Sequence, residues 1–477
     1  MEQLESVLAA FAGFMWGAPL VLLLVGGGLF FMVHSRMSHF RYLGHGIDLL
    51  RGRYNSDTET AAGEVSHYRA LATALAGTVG LGNITGVALA VTLGGPGAVF
   101  WMWVTALVGI TTKFYTASLA ILYRGYDDSG KLQGGPMYVI REGLGQKWLP
   151  LAWMFAIAGM LGTLPVFQIN QLVQLLRDVV AIPAGLASAD SHFPFDLTLG
   201  LILSVLLLSI AVGKVQRIST VAGRLVPGMV IFYFVITGYV LLSHVGEIPA
   251  MLALIVTDAF SGQAVSGGVI GAVILIGVQR GAFSNEAGIG TESLAHGAAR
   301  TNEPVREGLV AMLGPIIDTL IVCTCTALAL LVTGAWQGEA TGVTLTSQAY
   351  EQVFPGFGAY MILAMVAVLS ITTVLTYSYY GSKCMGFLFG SRTEKYYLWG
   401  YMALVTAGAV ASLDAVISLL DGVYATMAIP TMLSTLLLAP RVRDIARDYF
   451  ARHDGGAFIA EHAAVQRAGR GNSRRKK

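Results

Sequence analysis

Apolar stretches of about twenty residues recur along this chain from end to end, a pattern suited to a bundle of membrane-spanning helices. Eleven can be read: 11–34, 70–93, 97–123, 149–176, 197–213, 221–243, 264–296, 308–334, 357–381, 396–412 and 414–438. Composition agrees. Only 12% of the 477 residues are charged, against about 25% in soluble domains, and mean hydropathy is +0.65. The first stretch does not read as a cleaved signal. Met1-Glu2-Gln3-Leu4-Glu5 is acidic where a signal is basic, and the apolar run is too long.

The placement of charge predicts orientation. Among the 30 Lys and Arg, Arg177 falls in a connection read as outer, and Lys113 and Arg280 fall within spans. The rest lie in alternate connections, near the inner ends of spans, or in the tail. The connection 335–356 has none, whereas the tail 441–477 ends Arg474-Arg475-Lys476-Lys477. By the positive-inside rule the N-terminus is expected outside and the C-terminus in the cytoplasm of a multi-pass cell-membrane protein. The tail reads as a topology anchor rather than a nucleic-acid arm. The lipid bilayer is the expected partner, with no nucleic acid and no obligate protein partner. The three cysteines have no disulfide or zinc spacing, and the nine histidines are scattered and carry no assigned chemistry. No nucleophile–base pair or His-rich metal set falls at membrane depth, so an intramembrane enzyme is not expected.

Two spans are interrupted. Gly77-Thr78-Val79-Gly80-Leu81-Gly82-Asn83 places three glycines in the middle of span two. Each glycine costs about 1 kcal/mol relative to alanine in a helix, and released backbone groups cost several kcal/mol in hydrocarbon. Such a break survives where it lines an enclosed cavity, and its freed groups suit a small charged solute and a cation. The alternative is close helix packing through small residues. Span seven carries Gly277-Val278-Gln279-Arg280-Gly281-Ala282-Phe283-Ser284-Asn285-Glu286-Ala287-Gly288-Ile289-Gly290, which mixes glycines with charge. Intramembrane charge defaults to function. The breaks are five spans apart and run in opposite directions, the signature of an inverted-repeat transporter. A channel would instead need a continuous polar pore.

Gly94-Gly95-Pro96-Gly97-Ala98-Val99-Phe100-Trp101-Met102-Trp103-Val104-Thr105-Ala106-Leu107-Val108-Gly109 reads physically as a tight turn, aromatic anchors and a new span. It also resembles the signature of the alanine or glycine:cation symporter family over its full length. The likeness extends to Arg280-Gly281 through Gly288, to Glu307-Gly308-Leu309-Val310-Ala311-Met312-Leu313-Gly314 with Ile317-Asp318-Thr319, and to Thr372-Thr373 followed by Ser378-Tyr379-Tyr380-Gly381.

The resemblance implies an all-α integral membrane protein of the leucine-transporter fold: a five-plus-five inverted repeat with two broken helices and one extra N-terminal helix. It divides the chain into the extra helix (1–34), a cytoplasmic connection (35–69), the repeats (70–245 and 246–440) and the basic tail (441–477). It implies Na⁺-coupled symport of a small neutral amino acid, alanine or glycine, by alternating access, with Na⁺ as the co-transported ion. Glutamine or serine as substrate, or H⁺ coupling, are the alternatives.

Carried over by position, the substrate-binding residues are Thr78, Gly80, Leu81, Gly82, Asn83, Gln168, Phe283 and Tyr377, with the Leu81 and Gly82 amides meeting the carboxylate. The Ala76 and Val79 carbonyls and the Thr372 and Thr373 hydroxyls form a Na⁺ site. Membrane threonines otherwise bond back to their own helix. Gln168 either touches substrate, gates the cavity or makes an interhelical bond. Asn285 and Glu286 either meet the ammonium or lock the half-helix to its neighbours, the latter being preferred for Glu286. The chain departs from the family at Leu81, where many members have Thr, and at Tyr377, where many have Trp, so side-chain size preference is open.

Overall fold

The computed structural model describes residues 2–53, 61–188, 190–211, 214–260 and 269–456. Residues 264–268 of the expected seventh span, and the terminal Arg474–Lys477 cluster, lie outside these. The described chain is almost entirely helical, with a single two-stranded hairpin, β1 (Gly125–Tyr126) and β2 (Leu132–Gln133).

The main helices are α1 (Glu2–Met15), α2 (Ala18–His34), α3 (Leu43–Leu50), α4 (His67–Thr78), α5 (Leu81–Gly94), α6 (Gly97–Leu122), α7 (Leu149–Gly162) and α8 (Val166–Leu176). The remaining main helices are α9 (Phe193–Ala211), α10 (Lys214–Ser243), α11 (Ile248–Asp258), α12 (Val269–Asn285), α13 (Glu292–His296), α14 (Pro304–Val332), α15 (Gly342–Val353), α16 (Gly358–Phe389), α17 (Glu394–Val410) and α18 (Leu413–Asp454).

Among the described residues eight helices are long and apolar enough to cross a membrane, or nine when α1 and α2, bent by 49° at their junction, count as one span. The two other expected spans are occupied by α12 and α17, of 17 residues each. That is short of the ~20 residues of a full crossing. For α12 the start, Val269, is where the described residues begin, and its end at Asn285 is the second break. The last helix does not stop at the expected end of its span. It runs through Pro430 and Pro440 to Asp454, carrying part of the basic stretch with it.

Small residues set the closest helix contacts. A Cβ on Gly277 would lie 2.6 Å from the Ala98 carbonyl oxygen, and one on Gly281 would lie 3.1 Å from Thr105 Cβ. The Gly-x-x-x-Gly spacing therefore presses α12 against α6. The N-terminal segment docks on α18. Trp16 Nε1 donates to the Asp421 carbonyl at 2.8 Å, and the Phe11 ring fills the space beside Gly422.

The Asp421 side chain forms a buried ion pair with Arg280, joining α18 to α12. Removing one partner of a buried pair leaves a stranded charge, at a cost of about 3–5 kcal/mol, whereas replacing both by apolar groups is often neutral. Asp421→Leu should therefore lower the thermal midpoint in detergent sharply, and adding Arg280→Met should restore most of it. Equal midpoints for the single and double variants would show that the pair does not hold these helices together.

Candidate functional site

The first break is short. α4 ends at Thr78, α5 begins at Leu81, and Val79 and Gly80 between them leave helical geometry. The Asn83 side chain repairs part of the damage. Its Oδ1 accepts from the Gly80 amide at 3.0 Å. Its Nδ2 donates to the Asp318 carbonyl at 3.1 Å and also to the Asp318 carboxylate. The first amides of α5, on Leu81 and Gly82, have no partners within their own helix and form its positive end.

The second break is longer. After Asn285 the chain turns through Glu286 (φ 55°), Gly288 (φ 83°) and Gly290 (φ 98°) before α13. A left-handed glutamate is costly, and the surroundings enforce it. Its carboxylate accepts hydrogen bonds from Thr291 and Tyr377. The Tyr377 hydroxyl also meets that of Tyr424 at 2.8 Å.

The two breaks meet. A Cβ on Gly82 would lie 3.3 Å from Ser284 Cα and 3.5 Å from Phe283 Cδ1. The Phe283 ring packs against Phe167 (centroids 5.4 Å apart) and Tyr424 (5.2 Å), with the Arg280 guanidinium 5.6 Å from its centroid. Ser284 Oγ donates to Asp318 Oδ1 at 3.0 Å, so one carboxylate on α14 is bonded from both breaks. Asp318 sits in a π-helical stretch, Ile316–Cys323, that directly follows Pro315. Proline lacks the amide that regular winding requires, and π turns are frequent at functional sites.

Each residue expected at the site has a definite place. Thr373 Oγ1 donates to the Ala76 carbonyl at 2.8 Å and would lie 2.9 Å from a Cβ on Gly80. Thr372 Oγ1 instead returns to its own helix, to Val368 O at 2.9 Å and Leu369 O at 3.0 Å. Val79 and Leu81 are buried. Thr78 Oγ1 and Gln168 Oε1 are buried without a hydrogen-bond partner. Asn170, two residues on, donates to the Ala411 carbonyl at 2.7 Å. Tyr377 is buried, packs beside Gly77 and is bonded to Glu286.

Sequence reasoning missed three groups. Asp318 stood in a quoted motif without a role, yet its Oδ2 is a buried oxygen with no partner. Asp421 was overlooked, although a carboxylate well inside an apolar span is itself a signal. The third group is at the far end of α4. There the Glu307 carboxylate is shared between His67 Nδ1 and His296 Nδ1, the latter at 2.6 Å. Val65 and Ala299 bridge alongside, and the Arg300 amide donates to the Val65 carbonyl at 2.6 Å. Arg124 donates to the Gly297 carbonyl at 2.9 Å and the Thr301 carbonyl at 3.2 Å. Burial pushes its guanidinium down to about 10.

Two discontinuous helices cross at their breaks inside an apolar bundle, the arrangement expected of the leucine-transporter fold. The solved structure of MhsT in complex with L-phenylalanine matches with a TM-score of 0.57, over 80% of this chain and 98% of that one, at 14% identity. The model of the sodium:alanine symporter family matches residues 1–462, and the chain belongs to that family.

Among its relatives, the sodium/alanine symporter AgcS of Methanococcus maripaludis is 38% identical over 433 residues, 89% of this chain and 93% of the relative. An uncharacterized transporter of Haemophilus influenzae is 38% identical over 461 residues, 94% of this chain and 97% of the relative. The probable sodium/glutamine symporter GlnT of Bacillus subtilis is 31% identical over 459 residues, 96% and 93% of the two chains. The protein is a membrane transporter and not an enzyme.

The crossing of the breaks is testable by volume. Gly82→Ala asks the Ser284 backbone to give by a few tenths of an ångström, whereas Gly82→Leu must part the two helices. Overpacking of this kind costs about 1–3 kcal/mol. The leucine variant should therefore unfold at clearly lower temperature than the alanine variant. Equal thermal midpoints for leucine and wild type would show that the contact is loose.

Proposed function

We propose that this protein carries a small neutral amino acid, alanine or glycine, into the cell together with Na⁺ by alternating access. The observation that carries the reading is Asp318, a buried carboxylate bonded from both breaks with one oxygen unpartnered. Charge balance around it points the same way. Glu286, Glu292, Asp318 and Asp421 are buried near the breaks, against Lys113 and Arg280. The Lys113 ammonium would lie 3.2 Å from a Cβ on Gly314, four residues before Asp318. Four carboxylates against two cations leave an excess of negative charge when all are ionised, and burying it is expensive unless a cation comes too.

The cargo then divides by chemistry. Hard cations take oxygen ligands. The Ala76 and Val79 carbonyls with the Thr373 hydroxyl form one Na⁺ site, with Thr372 behind them on α16. Asp318 and Ser284 offer oxygens for a second cation. The carboxylate of the amino acid meets the Leu81 and Gly82 amides at the positive end of α5, beside the Thr78 hydroxyl. Phe283 and Tyr377 bound the side chain, and Gln168 supplies a further acceptor. In this reading the end of α4 at His67 faces the cytoplasm and is closed. The probable glutamine symporter among the relatives keeps a larger neutral side chain as the second reading of the substrate.

Two predictions follow from the assignment of ligands. In proteoliposomes, labelled alanine should accumulate under an inward Na⁺ gradient and not when K⁺ replaces Na⁺. Thr373→Val should raise the half-saturating Na⁺ concentration more than it alters alanine affinity. Uptake driven by a pH gradient without Na⁺ would overturn the coupling ion.

The second concerns size. A methylene in such a pocket is worth about 1–3 kcal/mol. Tyr377→Ala should thus weaken inhibition of uptake by alanine and strengthen that by valine and glutamine. An unchanged ranking of glycine, alanine, serine, valine and glutamine would remove Tyr377 from the pocket.

A further inference from the structure

A second cavity lies away from the breaks, where the first span ends. After α2 the chain reverses through Arg36 (φ 51°) and Met37 (φ 54°), two consecutive non-glycine residues in the left-handed region. Side chains rarely adopt this conformation, and it persists where neighbours enforce it. The reversal makes Arg36, Ser38, Arg41 and Tyr42 one wall of a cavity of about 450 Å³. The opposite wall is a single stripe of α18, Arg443, Ala446, Arg447 and Phe450, at the spacing of one helix face. Phe114 and Tyr115 of α6 complete it together with His34. The volume is that of a small-molecule site.

Four arginines line this space with little to neutralise them. Arg443 has Asp444 at 3.9 Å, and both are largely exposed. Asp454 accepts from the Tyr42 hydroxyl at 2.8 Å, and Asp448 is held by Arg452 at 3.0 Å. Among the described residues the side chains of Arg36, Arg41 and Arg447 make no hydrogen bond or ion pair, although Arg41 lies near Asp454. All four arginines are exposed and water screens their mutual repulsion, so the cluster stands without an anion but offers several guanidinium groups to one. Guanidinium forks match phosphate oxygens in pairs.

The surroundings name the source of the phosphate. Leading up to the cavity, α2 presents Phe30 and Val33 outward and the reversal presents Met37, exposed by 45%, 77% and 50%. Apolar exposure of this kind on a membrane span is lipid-facing surface. A ligand with its anionic group among the arginines would extend along that surface if it had acyl chains. A free anion would have no use for it. Basic pockets between spans at the membrane interface bind such headgroups.

We propose that this cavity binds the phosphodiester headgroup of an anionic phospholipid, clamped between the reversal after α2 and the extension of α18. The site is separate from the crossing of the breaks and does not depend on which amino acid is carried. Its effect is to tether the reversal after α2 to the last helix.

The test uses the purified full-length protein in neutral detergent. Native mass spectrometry would count bound dioleoyl-phosphatidylglycerol and dioleoyl-phosphatidylcholine. Thermal unfolding would be followed during titration with each lipid and with sodium phosphate. The variants are Arg36→Gln/Arg443→Gln and Arg447→Gln. Arg51→Gln/Arg53→Gln, whose arginines lie with Asp48 outside the cavity, removes the same charge as the first pair.

Wild type and the Arg51/Arg53 control should retain one phosphatidylglycerol in preference to phosphatidylcholine. The Arg36/Arg443 pair should weaken that binding about tenfold or more, with a smaller loss for Arg447→Gln. Equal retention of the two lipids, or an equal loss in the control, would overturn the proposal. So would a saturable stabilisation by inorganic phosphate that phosphatidylglycerol fails to reproduce, since the site would then serve a soluble anion.

Discussion

A peptide group released at membrane depth has to be satisfied by the protein itself. The first break exists on that condition, and Asn83 meets it. Its side chain takes the Gly80 amide with one end and reaches Asp318 with the other. Through Ser284 the same carboxylate holds the second break. The geometry of the site is thus a consequence of repairing two interrupted helices with shared partners. Gly82 lets the repair be compact, because its missing side chain is the space that Ser284 and Phe283 occupy.

Charge is the second constraint. Each ionised group inside the bundle has to find compensation, and the ways found differ. Arg280 and Asp421 compensate each other and bind helices from distant parts of the chain. Glu286 is held by two hydroxyls, from Thr291 and Tyr377. Asp318 keeps one oxygen without a protein partner. In the proposed function this graded satisfaction separates the groups that hold the architecture from the group that meets a moving ion.

Much of this was legible because membranes simplify the problem. Span positions follow from hydropathy, and the breaks follow from glycines placed where helices should be continuous. The Thr373 hydroxyl lies beside the Ala76 carbonyl, which spacing within either helix could not show and family resemblance suggested. The neighbouring Thr372 looks identical in sequence, but one helical step turns it back onto its own carbonyls. Asp318 and Asp421 were visible as letters, but their partners lie far away in sequence. Only the folded bundle decides which carboxylate is paired. The histidines were unreadable for the same reason: His67 and His296 meet at Glu307 across a span of chain that no local pattern connects.

The junction at Glu307 has a consequence for how the molecule can move. One carboxylate is claimed by imidazoles from the start of α4 and the end of α13, and backbone pairing between Val65 and Ala299 runs beside it. Neither helix end can withdraw alone without leaving a buried acid half-satisfied. Partial separation is therefore worse than either a shut or a fully parted junction. In the proposed alternating-access cycle a closure built this way behaves as a snap fastener rather than a hinge, and intermediate widths that would leak ions are disfavoured by the same residues that hold it shut.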